Sequence, residues 1–115
     1  MARVLLIEDD VDALALRKLI FENHGHQVSV ASSAGEAREQ FQAAAPDSVV
    51  LDLRLPGLED GLVLIREFRA ASPQLKIVVL AGRTADLDGH PEAALVDLVL
   101  AKPSRSEVLL AAIRV

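Results

Sequence analysis

Four ionisable residues stand out by position. Glu8 and Asp9 follow the apolar run Val4-Leu5-Leu6-Ile7, Asp52 follows Val49-Val50-Leu51, and Lys102 follows Leu98-Val99-Leu100-Ala101. Each charged group leaves a short, branched apolar run, the pattern of a buried strand. Carboxylates gathered at one place repel one another and raise each other's pKa. A hard divalent cation removes that conflict, and carboxylate oxygens suit Mg²⁺, which keeps several waters. Lys102 would add a compact positive charge without filling a coordination position. A cation beside a lysine suits a phosphoryl group, whose oxygens need neutralising. A carboxylate between them can act as a nucleophile and form an acyl phosphate. Asp52 is the best-placed acceptor. Taken alone, it could equally be a turn aspartate bonding its own loop, since Leu53-Arg54-Leu55-Pro56-Gly57 follows.

The chemistry therefore depends on the elements that carry these residues. Val4–Ile7 reads as a first buried strand. A helix is predicted from Val11 to about Asn23, with Leu16, Leu19 and Ile20 on its inner face and Gly25 as its stop. Val28-Ser29-Val30 alternates and suits an edge strand. Ser33-Ala34-Gly35-Glu36 is a capping box opening a helix whose Ala37, Phe41, Ala44 and Ala45 face inward. After the strand to Asp52, Asp60 can cap a helix with Leu64, Ile65 and Phe68 on one stripe. Ile77-Val78-Val79-Leu80 is a fourth strand, ending in Ala81-Gly82. Pro91 at a first helical position predicts a short helix to about Leu95. A second capping box, Ser104-Arg105-Ser106-Glu107, opens a last helix with Val108, Leu109, Ala112 and Ile113 inward. Five strands alternating with five helices imply right-handed crossovers and a parallel sheet covered on both faces. All strands then end at one edge, where open α/β sheets bind ligands.

Composition narrows the classes. A chain of 115 residues, 51% hydrophobic, is one domain with an aliphatic core, since Phe21, Phe41 and Phe68 are its only aromatics. Without Tyr or Trp there is no stacking platform for single-stranded nucleic acid. A net charge of −5 argues against direct binding to nucleic acid or an anionic membrane. The absence of cysteine excludes disulfides, thiolate metal sites and thiol nucleophiles. His24, His26 and His90 lack metal-ligand spacing and read as surface or turn residues. Met1-Ala2-Arg3 leads straight into a short apolar run, so neither a signal peptide nor a membrane span is expected, and a soluble cytoplasmic domain is the default.

With these residues in order, the whole chain, 1–115, resembles a receiver domain of bacterial two-component response regulators. The resemblance rests on Glu8-Asp9-Asp10, on Asp52-Leu53-Arg54-Leu55-Pro56-Gly57 with Asp60-Gly61, and on Lys102-Pro103. It implies a flavodoxin-like, doubly wound five-stranded parallel sheet of order 2-1-3-4-5. It implies that Asp52 accepts phosphate from a sensor histidine kinase or phosphotransfer protein. Asp9 and Asp52 would ligate Mg²⁺ directly, Glu8 would help through water, and the Arg54 backbone carbonyl would add a ligand. Lys102 would pair with the phosphoryl oxygens, Asp10 would cap the first helix, and Pro103 would follow a cis bond. Arg54 and Arg83 are either two solvated arginines or, by the family's pattern, would crowd the attacking water and lengthen the phosphoryl lifetime. No turnover enzyme beyond slow self-hydrolysis is expected, and an output domain outside this chain is possible.

Three positions depart from the family. Ala81 stands where receivers usually carry a Ser or Thr hydroxyl, Val99 replaces the switch aromatic, and Gly89-His90-Pro91 leaves room for only a turn or two before strand five. If Asp52 is phosphorylated, the signal would pass by another route, through the Gly82 N–H or Thr84. The alternative is a pseudo-receiver, an interaction module indifferent to phosphate. An FMN-binding flavodoxin would want a hydroxyl-rich phosphate loop and ring-flanking aromatics. An aspartate phosphatase would want an acid where Arg54 stands.

Overall fold

A computed structural model describes residues 1–113. The strands are β1 (Arg3–Ile7), β2 (Gln27–Ala31), β3 (Ser48–Asp52), β4 (Lys76–Ala81) and β5 (Leu98–Ala101). They form one parallel sheet in the order β2-β1-β3-β4-β5. β3 lies at the centre and is buried along its whole length. β2 is an edge strand, as its alternation implied, and β5 closes the other edge, so that Leu98 is 39% exposed.

Among the described residues, four α-helices cover the sheet: α1 (Val11–Asn23), α2 (Ala34–Ala44), α3 (Leu58–Ala71) and α4 (Ser106–Ala112). The short helix expected at Pro91–Leu95 is present as a 3₁₀ turn, and a further 3₁₀ turn, Thr84–Leu87, precedes it. Gly89 separates them at φ +83, a conformation that ends helical winding. One core cluster joins α2 and α3 to the sheet through Leu5, Ala37, Leu51, Leu64, Ile65 and Phe68, and the other joins α1 and α4 through Leu6, Phe21, Val50, Val78 and Leu109. Phe41 stacks on Phe68, ring centroids 4.3 Å apart, tying α2 to α3.

Several local expectations need correction. α1 buries Leu14 and Phe21, while Leu16 and Leu19 are more than half exposed. The helix carries two apolar stripes, and the one with the large Phe21 wins, with the half-buried Arg17 and Lys18 lying along it. α2 is capped by Ser33, whose hydroxyl accepts from the Glu36 N–H, but Glu36 reaches back to the Ser32 N–H and hydroxyl. Ala45 is not inward-facing. It is the exposed C-cap of α2. α3 begins at Leu58, two residues before Asp60, which sits in its first turn and accepts from the Gly57 N–H. α4 begins at Ser106 without the second capping box, because the Ser104 hydroxyl donates back to the Ala101 carbonyl. On α4, Leu109 and Ile113 are buried and Val108 is 43% exposed. The expected end of the domain at Val115 lies outside the described residues.

Ala45 adopts φ +46, a left-handed conformation that a Cβ disfavours. Ala45→Gly is expected to raise unfolding stability by roughly 0.5–1 kcal/mol, read by urea denaturation. An unchanged or lower midpoint counts against strain at this cap.

Candidate functional site

Parallel strands deliver the ionisable residues to one edge. Glu8 and Asp9 leave β1, Asp52 is the last residue of β3, and Lys102 leaves β5. Asp52 is a carboxylate only 3% exposed, in a strand otherwise apolar or small. Its Oδ1 accepts from the Arg54 N–H at 3.2 Å and lies 2.8 Å from Lys102 Nζ. Lys102 is placed by its own backbone, whose N–H donates to the Ala81 carbonyl at 2.7 Å, and its bond to Pro103 is cis, as the resemblance implied. A second cis bond, Leu55–Pro56, had no signal in the sequence reading.

Carboxylate oxygens of Glu8, Asp9 and Asp52 lie within 4.8 Å of one another. Glu8 is half-buried, and its carboxyl is pushed up to about 7. Burial is the largest cause, followed by a hydrogen bond and charge repulsion from Asp52, with Lys102 and Arg17 pulling the other way. Crowded oxygens of this kind fit a hard divalent cation, whose charge relieves the repulsion. Asp10 stands apart from the cluster: its carboxylate accepts from the Asp12 and Ala13 N–H groups and caps α1.

The remaining expected positions line the rim. Ala81 is buried at the end of β4, paired with Ala101, and offers no hydroxyl. Gly82 and Thr84 are exposed just beyond it, and Arg54 is exposed on the loop after Asp52. Arg83 is 86% exposed and reaches Asp86 at 3.5 Å. Val99 is half-buried and packs on the core. α3 braces the loop from beneath: a Cβ on Gly61 would lie 2.0 Å from the Leu53 carbonyl oxygen. The bracing by Gly61 and the arginine contacts of α3 described below escaped the sequence reading. Only the Asp60-Gly61 pair hinted at the first.

A 2-1-3-4-5 parallel sheet with an acid cluster and a lysine at its C-terminal edge defines a doubly wound α/β domain of the receiver type. Residues 4–114 match the family model for the response regulator receiver domain, and the chain belongs to that family. It is 36% identical to the transcriptional regulatory protein AfsQ1 of Streptomyces coelicolor over 99% of this chain and 50% of that one. It is 40% identical to the virulence transcriptional regulatory protein PhoP of Salmonella typhimurium over 72% of this chain and 37% of that one. The chain thus spans half or less of the length of these relatives. A receiver domain protein from Clostridium thermocellum superposes with a TM-score of 0.86 at 30% identity, covering 98% of this chain and 91% of its own. Among the described residues, no helix is long and apolar enough to cross a membrane.

Proposed function

We propose that Asp52 is the phosphoacceptor of a two-component phosphorelay, taking a phosphoryl group from a histidine of a sensor kinase or phosphotransfer protein. The observation that carries this reading is the meeting of Asp52 with Lys102 at 2.8 Å beside two further acids. An Asp52 carboxylate oxygen attacks phosphorus, the bond from phosphorus to the donor nitrogen breaks, and that nitrogen keeps the electron pair. Lys102 Nζ, now on Asp52 Oδ1, is placed to follow the charge onto the phosphoryl oxygens. The Arg54 N–H holds the carboxylate in orientation. Asp9, Asp52 and Glu8, with the Arg54 carbonyl, would hold Mg²⁺, which neutralises the acids and the incoming phosphoryl oxygens. Gly82 offers its backbone N–H where the hydroxyl is missing at Ala81, and Arg54 and Arg83 form the rim.

Family membership and the relatives' regulatory names support a cytoplasmic signalling role, with output through a domain or partner beyond this chain. No direct contact with nucleic acid or membrane belongs to this reading. Ala81, Val99 and the missing helix favour the alternative of a phosphate-indifferent interaction module. The complete acid and lysine set weighs against it, because such a module has no use for crowded carboxylates. Treating the protein with acetyl phosphate and Mg²⁺ and weighing it decides the matter. A mass gain of one phosphoryl group is expected, and none would overturn the proposal.

The raised Glu8 pKa gives a pH signature. Between the ordinary carboxyl value of 4.5 and about 7, the folded, metal-free protein holds a proton that the unfolded chain releases. Glu8's contribution to stability is therefore fully present below 4.5 and is lost as pH rises through 7. A divalent cation must displace that proton below pH 7 and need not above it. Mg²⁺ is expected to raise the melting temperature more at pH 8 than at pH 6, and Glu8→Gln should flatten the difference. An equal Mg²⁺ effect at both pH values in the wild type would refute this.

A further inference from the structure

The connection between β4 and β5 is held unevenly. In its first half, residues 82–90, the residues Gly82, Arg83, Thr84, Ala85, Asp88 and Gly89 are exposed, and Leu87 is the buried anchor. The second half, residues 91–97, is bound to α3 by two arginines three positions apart. Arg66 pairs with Glu92, a carboxylate only 4% exposed. Arg69 donates from Nε to the Leu95 carbonyl at 2.9 Å and from Nη2 to Asp97 Oδ2 at 3.0 Å. Its Nη1 donates to the carbonyls of Leu75 at 2.6 Å and Pro73 at 3.0 Å. Asp97 Oδ2 in turn accepts from the Ile77 N–H at 2.7 Å, so one guanidinium ties α3, the turn before β4 and the start of β5. Leu95 and Val96 pack on the core below.

These are charge-assisted bonds from a planar, permanently charged fork, the strongest kind of hydrogen bond. Opening the Arg66 pair would cost Glu92 its charge-assisted bond and leave the carboxylate only its own backbone N–H. Residues 82–90 have no comparable tie to α3. Gly89, with φ +83 and no atom within 4 Å of an added Cβ, lies at the border between the two halves.

We propose that Arg66 and Arg69 lock residues 91–97 onto α3, so that any rearrangement triggered at Asp52 is confined to residues 82–90 and hinges at Gly89. The trigger rests on the reading of Asp52 as phosphoacceptor, whereas the lock does not. On this view the surface of the second turn is constant in both states. A partner that senses phosphorylation would have to touch the first turn, next to Gly82 and Arg83.

Hydrogen–deuterium exchange resolved to peptides 82–90 and 91–97, with and without Mg²⁺ and beryllofluoride, tests this. Fluorine NMR reports separately whether the adduct forms. In the wild type, exchange is expected to change in 82–90 and to stay constant in 91–97. In Arg66→Ala, and in Glu92→Gln as a milder variant, exchange in 91–97 should quicken about tenfold and become adduct-sensitive. An adduct-dependent change in 91–97 of the wild type overturns the proposal, as do variants that exchange like the wild type. If no adduct forms, the phosphoacceptor reading fails alone. The lock is then judged without adduct: faster exchange of 91–97 in the variants supports it, and unchanged exchange refutes it.

Discussion

Asp52→Asn is expected to abolish phosphoryl uptake from acetyl phosphate while leaving the fold intact. The substitution keeps the side chain's shape at a position only 3% exposed, so packing around β3 is preserved. It removes the carboxylate nucleophile, and an amide has no comparable oxygen to offer. Lys102 loses its partner but is 41% exposed and rehydrates, so stability should shift by no more than about 1 kcal/mol. Glu8 loses both the hydrogen bond and the repulsion from Asp52, and its pKa should fall toward the ordinary range, leaving the part due to burial. Intact-mass measurement of the treated variant reads the first effect, and a carboxyl NMR titration reads the second. Phosphoryl uptake that persists in the variant would move the acceptor to Asp9 or Glu8.

Gly61→Ala carries the largest structural effect. The new Cβ would meet the Leu53 carbonyl oxygen at 2.0 Å and its carbon at 2.9 Å, both backbone atoms that no rotamer change can move aside. α3 or the loop after Asp52 must shift. Both are tightly packed, since Leu53, Leu55 and Leu62 are buried on either side of the contact. We expect a loss of about 3 kcal/mol, the upper range for overpacking a core, measured by urea unfolding. The same shift would move the Arg54 N–H off Asp52, so phosphoryl uptake should slow in the fraction that stays folded. A variant with wild-type stability would show that α3 stands further from this loop.

Much of the fold was legible because it follows from local pattern. Continuous branched runs announced β1, β3 and β4, and weak alternation announced the edge strand β2. What failed was orientation and termination. Periodicity placed Leu16 and Leu19 inside, yet the face with Leu14 and Phe21 meets the sheet, and nothing within thirteen residues of α1 distinguishes the two stripes. The Ser104 box failed because Ser104 has a competing acceptor, the Ala101 carbonyl at the end of a strand. Its existence is a tertiary fact.

By itself the sequence determined the strand–helix alternation. With it came the delivery of Glu8, Asp9, Asp52 and Lys102 to one edge, because parallel strands must all end on the same side. It also determined the absence of a hydroxyl at Ala81. Only the tertiary structure decided how those groups face each other: the 2.8 Å pair of Asp52 with Lys102, the proton held by Glu8, and the contact at Gly61. It alone decided that Arg66 and Arg69 reach across some 26 to 28 residues to Glu92, Leu95 and Asp97. The reason is physical. Burial and secondary structure are written in neighbours along the chain, whereas pKa shifts and ion pairs depend on distances between residues that only the packed sheet and helices bring together.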